Sequence, residues 1–227
     1  MPSTALARPL AAAGIAAVLL GMLAVAALHV LPPTAEISPV RRTISEYALH
    51  ETAWVFNLGV LVLALGSLAV SAALAYAGQV RIASVAGLGL LLWSLGLAAV
   101  VYFPKHNWAV GPSLDGHLHR VASLVAFLSL PVGALLLVFT RRRDARRRAD
   151  VWLTALPALA ALAMFGVIIG AFLLQPYTGV AWWRAIPLGA VERGLAVFEV
   201  LTVLALGRWA WRAATDDRKG TFLTDVR

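Results

Sequence analysis

The chain has no cysteine. Disulfides and thiolate metal sites are therefore excluded, while the redox compartment stays undetermined. Charge is scarce as well: only 13% of residues are Asp, Glu, Lys or Arg, against about 25% in an ordinary soluble domain. Acid is the scarcer sign, 11 residues against 19 basic ones. Neither H-x-x-x-H nor H-E-x-x-H occurs, so the common helical metal-binding motifs are missing. In place of these the chain is 61% hydrophobic, with the apolar residues gathered in runs long enough to cross a bilayer. The net charge of +8 does not imply a nucleic-acid partner, because the basic residues flank apolar runs.

The densest charge is Arg141-Arg142-Arg143-Asp144-Ala145-Arg146-Arg147-Arg148. Six arginines between two apolar runs stay on the cytoplasmic side and orient everything else. The predicted fold is all-α, a polytopic membrane helical bundle of six transmembrane helices with both termini inside. Its spans cover roughly 10–31, 52–78, 82–102, 114–140, 151–175 and 188–211, at about 1.5 Å per helical residue. They make one domain over 1–213, with a polar cytoplasmic tail at 214–227. Thirteen of the nineteen Lys and Arg residues fall on the side of the arginine block, which fits a multi-pass protein of the inner (plasma) membrane. The first apolar run exceeds the ~7–15 residues of a secretory signal and reads as a span rather than a cleaved leader.

Local signals place the boundaries. Pro32-Pro33 and Phe103-Pro104 close the first and third spans. Thr43-Ile44-Ser45-Glu46 reads as a capping box, which starts the second helix near Ile44 and runs it into the membrane. Ser113 caps the fourth helix, with Asp115 in its first turn. Pro131 and Pro157 lie inside spans, where neighbouring helices can satisfy the freed carbonyls. Gly166 and Gly170, and Ser67 and Ser71, form small-xxx-small pairs that favour close helix contact.

The polar residues that could do chemistry lie at the end opposite the arginine block. On a helix continuing from Ile44, Glu46, His50 and Asn57 share one face. Asp115, His119 and Ser123 recur at i, i+4 and i+8. That row does not read as a nucleophilic triad, because nothing supplies an oxyanion site. His117 and His119 diverge by about 200° on a helix, so no metal site and no cofactor are predicted. Glu199 is the one carboxylate well inside a span, and an intramembrane carboxylate is a functional hypothesis by default.

The chain resembles the DUF998 family of six-span prokaryotic integral membrane proteins. The resemblance is carried by Ile44-Ser45-Glu46-Tyr47 with Asn57, by Phe103-Pro104, by Gly116-x-x-His119 and by Gly189-Ala190-Val191-Glu192-Arg193. It implies the six-helix fold and a shared cluster of Ser45, Asn57, His119, Glu192 and Arg193 in the outer leaflet, and it implies no activity. The polar and acidic residues usual after the Phe-Pro give way here to Lys105-His106-Asn107.

These readings combine into one expectation. A polar pocket opens outward between helices 2, 4 and 6 and holds a lipid headgroup, a small ligand or a partner, with membrane lipids as neighbours and no nucleic acid. Ser45, Glu46, His50, Asn57, Asp115, His119, Glu192, Arg193 and Glu199 are its candidate residues. Arg193 and His119 are expected to meet around one acidic group or ligand. The alternatives are a membrane-embedded lipid-modifying enzyme and a small transporter using Glu199 as its proton site.

Overall fold

A computed structural model describes residues 4–224, with side chains described from 5 to 216. Among the described residues the secondary structure is helical throughout. The helices are α1 (Ala7–Ala27), α2 (Ala53–Tyr76), α3 (Val85–Tyr102), α4 (Leu114–Arg141), α5 (Arg148–Thr178), the short α6 (Trp182–Ala185) and α7 (Leu188–Thr224). The first five long helices, α1 to α5, are each long and apolar enough to cross a membrane. The protein is a polytopic helical membrane bundle. Leu20, Leu65, Leu95 and Phe172 stand exposed on its outer surface, as lipid-facing side chains do.

Successive long helices pair as antiparallel hairpins: α1 with α2, α3 with α4, and α5 with α7, which also packs on α1 and α2 and closes the bundle. Apolar attraction is weak between helices surrounded by lipid, so backbone closeness holds them. Glycine supplies it. A Cβ on Gly14 would lie 2.7 Å from the Gly66 carbonyl oxygen, and one on Gly89 would lie 2.9 Å from the Gly133 Cα. Ser67 joins α2 to α3, donating to the Leu63 carbonyl at 2.8 Å and accepting from Trp93 Nε1 at 3.0 Å. The Gly166–Gly170 pair makes no such contact, with nothing within 4 Å of a Cβ at either position.

The ends of the helices follow local chemistry in places and depart from it in others. Ser113 caps α4 as expected, its hydroxyl accepting from the Gly116 amide at 3.1 Å. Gly78 closes α2 at φ +67, in the left-handed region. The helix expected to start at Ile44 does not run into the membrane. A 3-10 helix over Ile44–Leu49 is followed by a break, and α2 begins at Ala53. Thr43 makes no side-chain cap, so the capping box does not form. At the far end, α7 continues helically to Thr224 and takes in most of the segment read as a tail.

The end carrying the arginine block also gathers the α2–α3 turn and the C-terminal half of α7. Arg141 donates to the carbonyls of Gly78 and Gln79 at 2.8 and 3.0 Å. Trp209 Nε1 donates to the Gln79 side chain at 3.2 Å, and Arg8 sits 4.5 Å from the Trp211 ring centroid. Asp150, fully buried in the first turn of α5, pairs with Arg208, with Arg212 at 3.6 Å and with Arg147 at 3.9 Å.

Candidate functional site

At the opposite end the segment 41–46, the loop after α3, the first half of α4, α5, α6 and the start of α7 line a cavity of about 690 Å³. Arg193 builds one wall without facing the cavity. Its Nη1 donates to the carbonyls of Pro39, Arg42 and Gly189 at 2.9, 2.7 and 3.0 Å. Its Nη2 donates to the Tyr47 hydroxyl at 3.0 Å and its Nε to His29 Nε2 at 2.7 Å. Only a planar guanidinium presents donors in so many directions at once. Gly189 lets this loop lie against α7, since a Cβ there would fall 2.6 Å from the Pro39 carbonyl oxygen. Glu192 Oε2 accepts from the Ile44 amide at 3.2 Å, and the Ala190 amide reaches the Val40 carbonyl at 3.2 Å.

Lys105 crosses the cavity from the other side. Its ammonium donates to Glu46 Oε2 at 2.7 Å and to the Thr43 hydroxyl at 2.8 Å. Arg42 lies 3.9 Å from the other Glu46 oxygen. The short 3-10 helix therefore spends the two groups of its presumed capping box on a residue from a distant loop. Sequence reasoning passed over Lys105, His29 and Tyr47. The signal the sequence offers for Lys105 is its place directly after Phe103-Pro104, a departure from the family pattern that supplies the partner of Glu46.

His119 lies in the second turn of α4 with its Nδ1 at 3.0 and 2.9 Å from the carbonyls of Val100 and Phe103. These belong to the last turn of α3 and its cap, where helical carbonyls lack internal partners. His106 accepts from the Ser113 amide through Nδ1 at 3.0 Å, and its ring packs so close to Gly116 that a Cβ would have no room. Desolvation, with His117, Arg120 and Lys105 nearby, lowers the pKa of His106 below its usual 6.5.

The cavity wall includes Ser45, Glu46, His119 and Glu192 among the expected residues. It does not include His50, Asn57, Asp115, Arg193 or Glu199. His50 ends the 3-10 helix and is exposed, because the continuous helix that would have aligned it with Glu46 and Asn57 does not exist. Asp115 is exposed. Arg193 and His119, expected to meet around one acidic group or ligand, share no acidic partner among the described residues: the hydrogen bonds of Arg193 go to carbonyls, Tyr47 and His29, and His119 Nδ1 faces two carbonyls. The pocket expected between helices 2, 4 and 6 is instead walled by the 41–46 segment, α4, α5 and the start of α7. Glu199 is fully buried in α7, and neither carboxylate oxygen has a hydrogen-bond partner among the described residues. No group of three or more His, Asp or Glu side chains among the described residues is arranged as metal ligands would be.

Four cationic side chains line the cavity, Arg41, Arg42, Lys105 and Arg120, against two carboxylates, Glu46 and Glu192. Below them Leu124, Phe127, Phe165 and Ile168 make an apolar floor between α4 and α5, and Trp182 and Trp183 stand at the rim. Such a chamber can hold an anion at its mouth and hydrocarbon below.

The model of a family described as a protein of unknown function (DUF998) matches residues 15–209. No curated protein matches the chain, and no solved structure does.

Proposed function

Starting from a chain that belongs to the DUF998 family, we propose that it is a binding protein of the plasma membrane whose cavity holds the anionic head of a lipid or of a small ligand on the outer face. The excess of cations over carboxylates in that cavity carries the reading. Arg41 and Arg120 have neither a hydrogen bond nor an ion pair among the described residues, so an incoming anion finds donors that are already assembled and not already spent.

The same proposal includes the arrangement in the membrane. α7 makes a sixth span, the arginine-rich end faces the cytoplasm, and the cavity faces out. The asymmetry of Lys and Arg between the two ends supports this orientation. The functional unit is the domain over 1–213, with membrane lipids as its partners.

The test is mass spectrometry of what copurifies in mild detergent. An anionic lipid or metabolite retained by the wild type, and lost from Arg41→Gln/Arg120→Gln, is the expected result. Equal recovery from both proteins overturns the reading. Glu199 favours a second reading, a proton-coupled transporter, because a buried carboxyl without a partner is costly to keep in a membrane. Proton-coupled uptake into vesicles that disappears in Glu199→Gln would establish that function instead.

A further inference from the structure

We propose that the ligand is a lipid whose head carries a free hydroxyl beside its phosphate, the hydroxyl donating to His119 Nε2 and a hydrocarbon chain lying on Leu124, Phe127, Phe165 and Ile168. This deepens the anion-binding reading above and rests on it.

The hydroxyl follows from the histidine. Nδ1 of His119 faces two carbonyl oxygens, at 2.9 and 3.0 Å. Carbonyls only accept, so Nδ1 carries the hydrogen, and in the neutral ring Nε2 is left as an acceptor. Nε2 has no hydrogen-bond partner among the described residues, and the ring lines the cavity. An acceptor is of no use to a deprotonated phosphate, whose oxygens also only accept. In the neutral ring the ligand atom that meets Nε2 is therefore a donor. Glu192 points the same way: Oε2 accepts from the Ile44 amide, and Oε1 has no partner among the described residues. An ammonium head would also donate, but it would enter a chamber where cations already outnumber carboxylates. A hydroxyl donates without adding charge.

The phosphate follows from Arg41 and Arg120, which are exposed and unengaged among the described residues. Lys105 is held by Glu46 and Thr43 and Arg42 lies 3.9 Å from Glu46, so these two arginines are the cations left to meet a new anion, in the forked geometry that suits a phosphate.

The lipid follows from the floor. Leu124 lines the cavity and is 40% exposed, so the chain's own side chains do not seal the floor. A soluble phosphate ester would leave Leu124, Phe127 and Ile168 uncovered. A chain descending from the head would cover them and continue into the bilayer.

The test uses the full-length protein in mild detergent, titrated with four probes and read by native mass spectrometry. The probes are phosphatidylglycerol, the same lipid with both head hydroxyls methylated, phosphatidylcholine with the same chains, and glycerol 1-phosphate. Phosphatidylglycerol should be retained about tenfold better than its methylated form, the weight of one hydrogen bond, and better still than phosphatidylcholine. Glycerol 1-phosphate should compete only at concentrations at least about a hundredfold higher, because it lacks the chain. His119→Leu should bring the two glycerol lipids to equal retention, whereas Arg120→Gln should weaken both alike. Equal binding of the methylated lipid to wild type overturns the hydroxyl–His119 assignment and leaves anion binding intact. Glycerol 1-phosphate binding as tightly as the lipid overturns the chain. No preference for any anionic probe over phosphatidylcholine overturns both this proposal and the reading it rests on. The ligand-side comparison needs no variant, so it decides the matter even if His119→Leu does not fold.

Discussion

Arg193 Nε lies 2.7 Å from His29 Nε2, across 164 residues of chain. The His29 Nδ1 faces the Ala26 carbonyl at 3.1 Å, so the ring donates at one nitrogen and accepts at the other. The arginine is thus a peg for the loop between α1 and α2 rather than a ligand for an acid. It ties His29, Pro39, Arg42 and Tyr47 to the start of α7. Lysine has three donors on a point charge and cannot reproduce that fan. Arg193→Lys should therefore destabilise the detergent-solubilised protein by about 2 kcal/mol, two or three lost hydrogen bonds. Thermal unfolding followed by tryptophan fluorescence measures it, and a silent substitution would show that the loop is held by other contacts.

The glycines make a paired prediction. Gly14→Ala puts a methyl 2.7 Å from the Gly66 carbonyl oxygen and 2.8 Å from Val70 Cγ2. The α1–α2 contact must then open, which overpacking data put at about 1–3 kcal/mol. Gly166→Ala and Gly170→Ala meet open space and should be neutral or slightly stabilising through helix propensity. Thermal unfolding of the three variants side by side decides it: equal effects would mean the α1–α2 backbones are not in contact as described.

How much of this was legible in the sequence depends on how local the deciding interaction is. The five apolar spans from α1 to α5, the Ser113 cap and the Pro104 stop follow from residues within a few positions of one another, and they were readable. The break between Leu49 and Ala53 was not. The Thr43–Glu46 signal is a sound local helix start, but Glu46 and Thr43 are claimed by Lys105, and the Ile44 amide is claimed by Glu192, 148 residues away. Long-range partners outbid the local cap, and a single sequence does not display them. The same reason hid Asp150: its partners Arg208 and Arg212 look like ordinary basic flanks until α5 and α7 are laid together. His119 was found as a polar residue, but its role at the end of α3 depends on carbonyls that carry no sequence signature.

His106 gives a pH dependence. Its pKa is held below 6.5 by desolvation, His117, Arg120 and Lys105, and its Nδ1 is already accepting from the Ser113 amide. An unfolded loop takes up a proton at about pH 6.5 more readily than the folded one. The native loop is therefore at full stability above pH 6.5 and loses stability as the pH falls below it. Amide hydrogen exchange over residues 104–113, corrected for the intrinsic rate, should quicken between pH 7.5 and 5.5. In His106→Gln, whose amide oxygen can still accept from Ser113, the excess should vanish. Protection that does not change with pH in the wild type would rule the switch out.

The orientation is open to a direct test. A reporter active only in the cytoplasm should work when fused after Arg227 and fail when inserted within 105–112. The arginine block is the reason, since six guanidinium groups do not cross a bilayer readily. Replacing Arg142, Arg143, Arg146 and Arg148 with Gln, while sparing Arg141 and Arg147 for their contacts, should raise the fraction of inverted molecules. The opposite reporter pattern would put the cavity on the cytoplasmic side and remove the outer-face part of the proposal, leaving its anion chemistry untouched.

The last prediction concerns Asp150. Its side chain is fully buried and carries most of the charge contact between the start of α5 and the C-terminal half of α7. It also sits in the first turn of α5, where the helix dipole favours a negative charge. Asp150→Asn keeps the shape and removes the charge, leaving Arg147 with Asp216, at 3.0 Å, as its acidic partner and Arg208 without one. Breaking one side of a buried pair typically costs about 3–5 kcal/mol, and the solvent that reaches Arg208 and Arg212 should reduce this to roughly 2–4 kcal/mol. Arg212→Gln removes a longer contact, 3.6 Å, from a half-exposed arginine, and should cost less than about 1 kcal/mol. The two single variants and the double variant form a cycle read by thermal unfolding in detergent. In the double variant the Arg212 change should add almost nothing, because its partner charge is already gone. Full additivity would mean that Arg212 acts through something other than Asp150, and a silent Asp150→Asn would mean that contacts other than those of Asp150, the Arg147–Asp216 pair among them, hold α5 to α7.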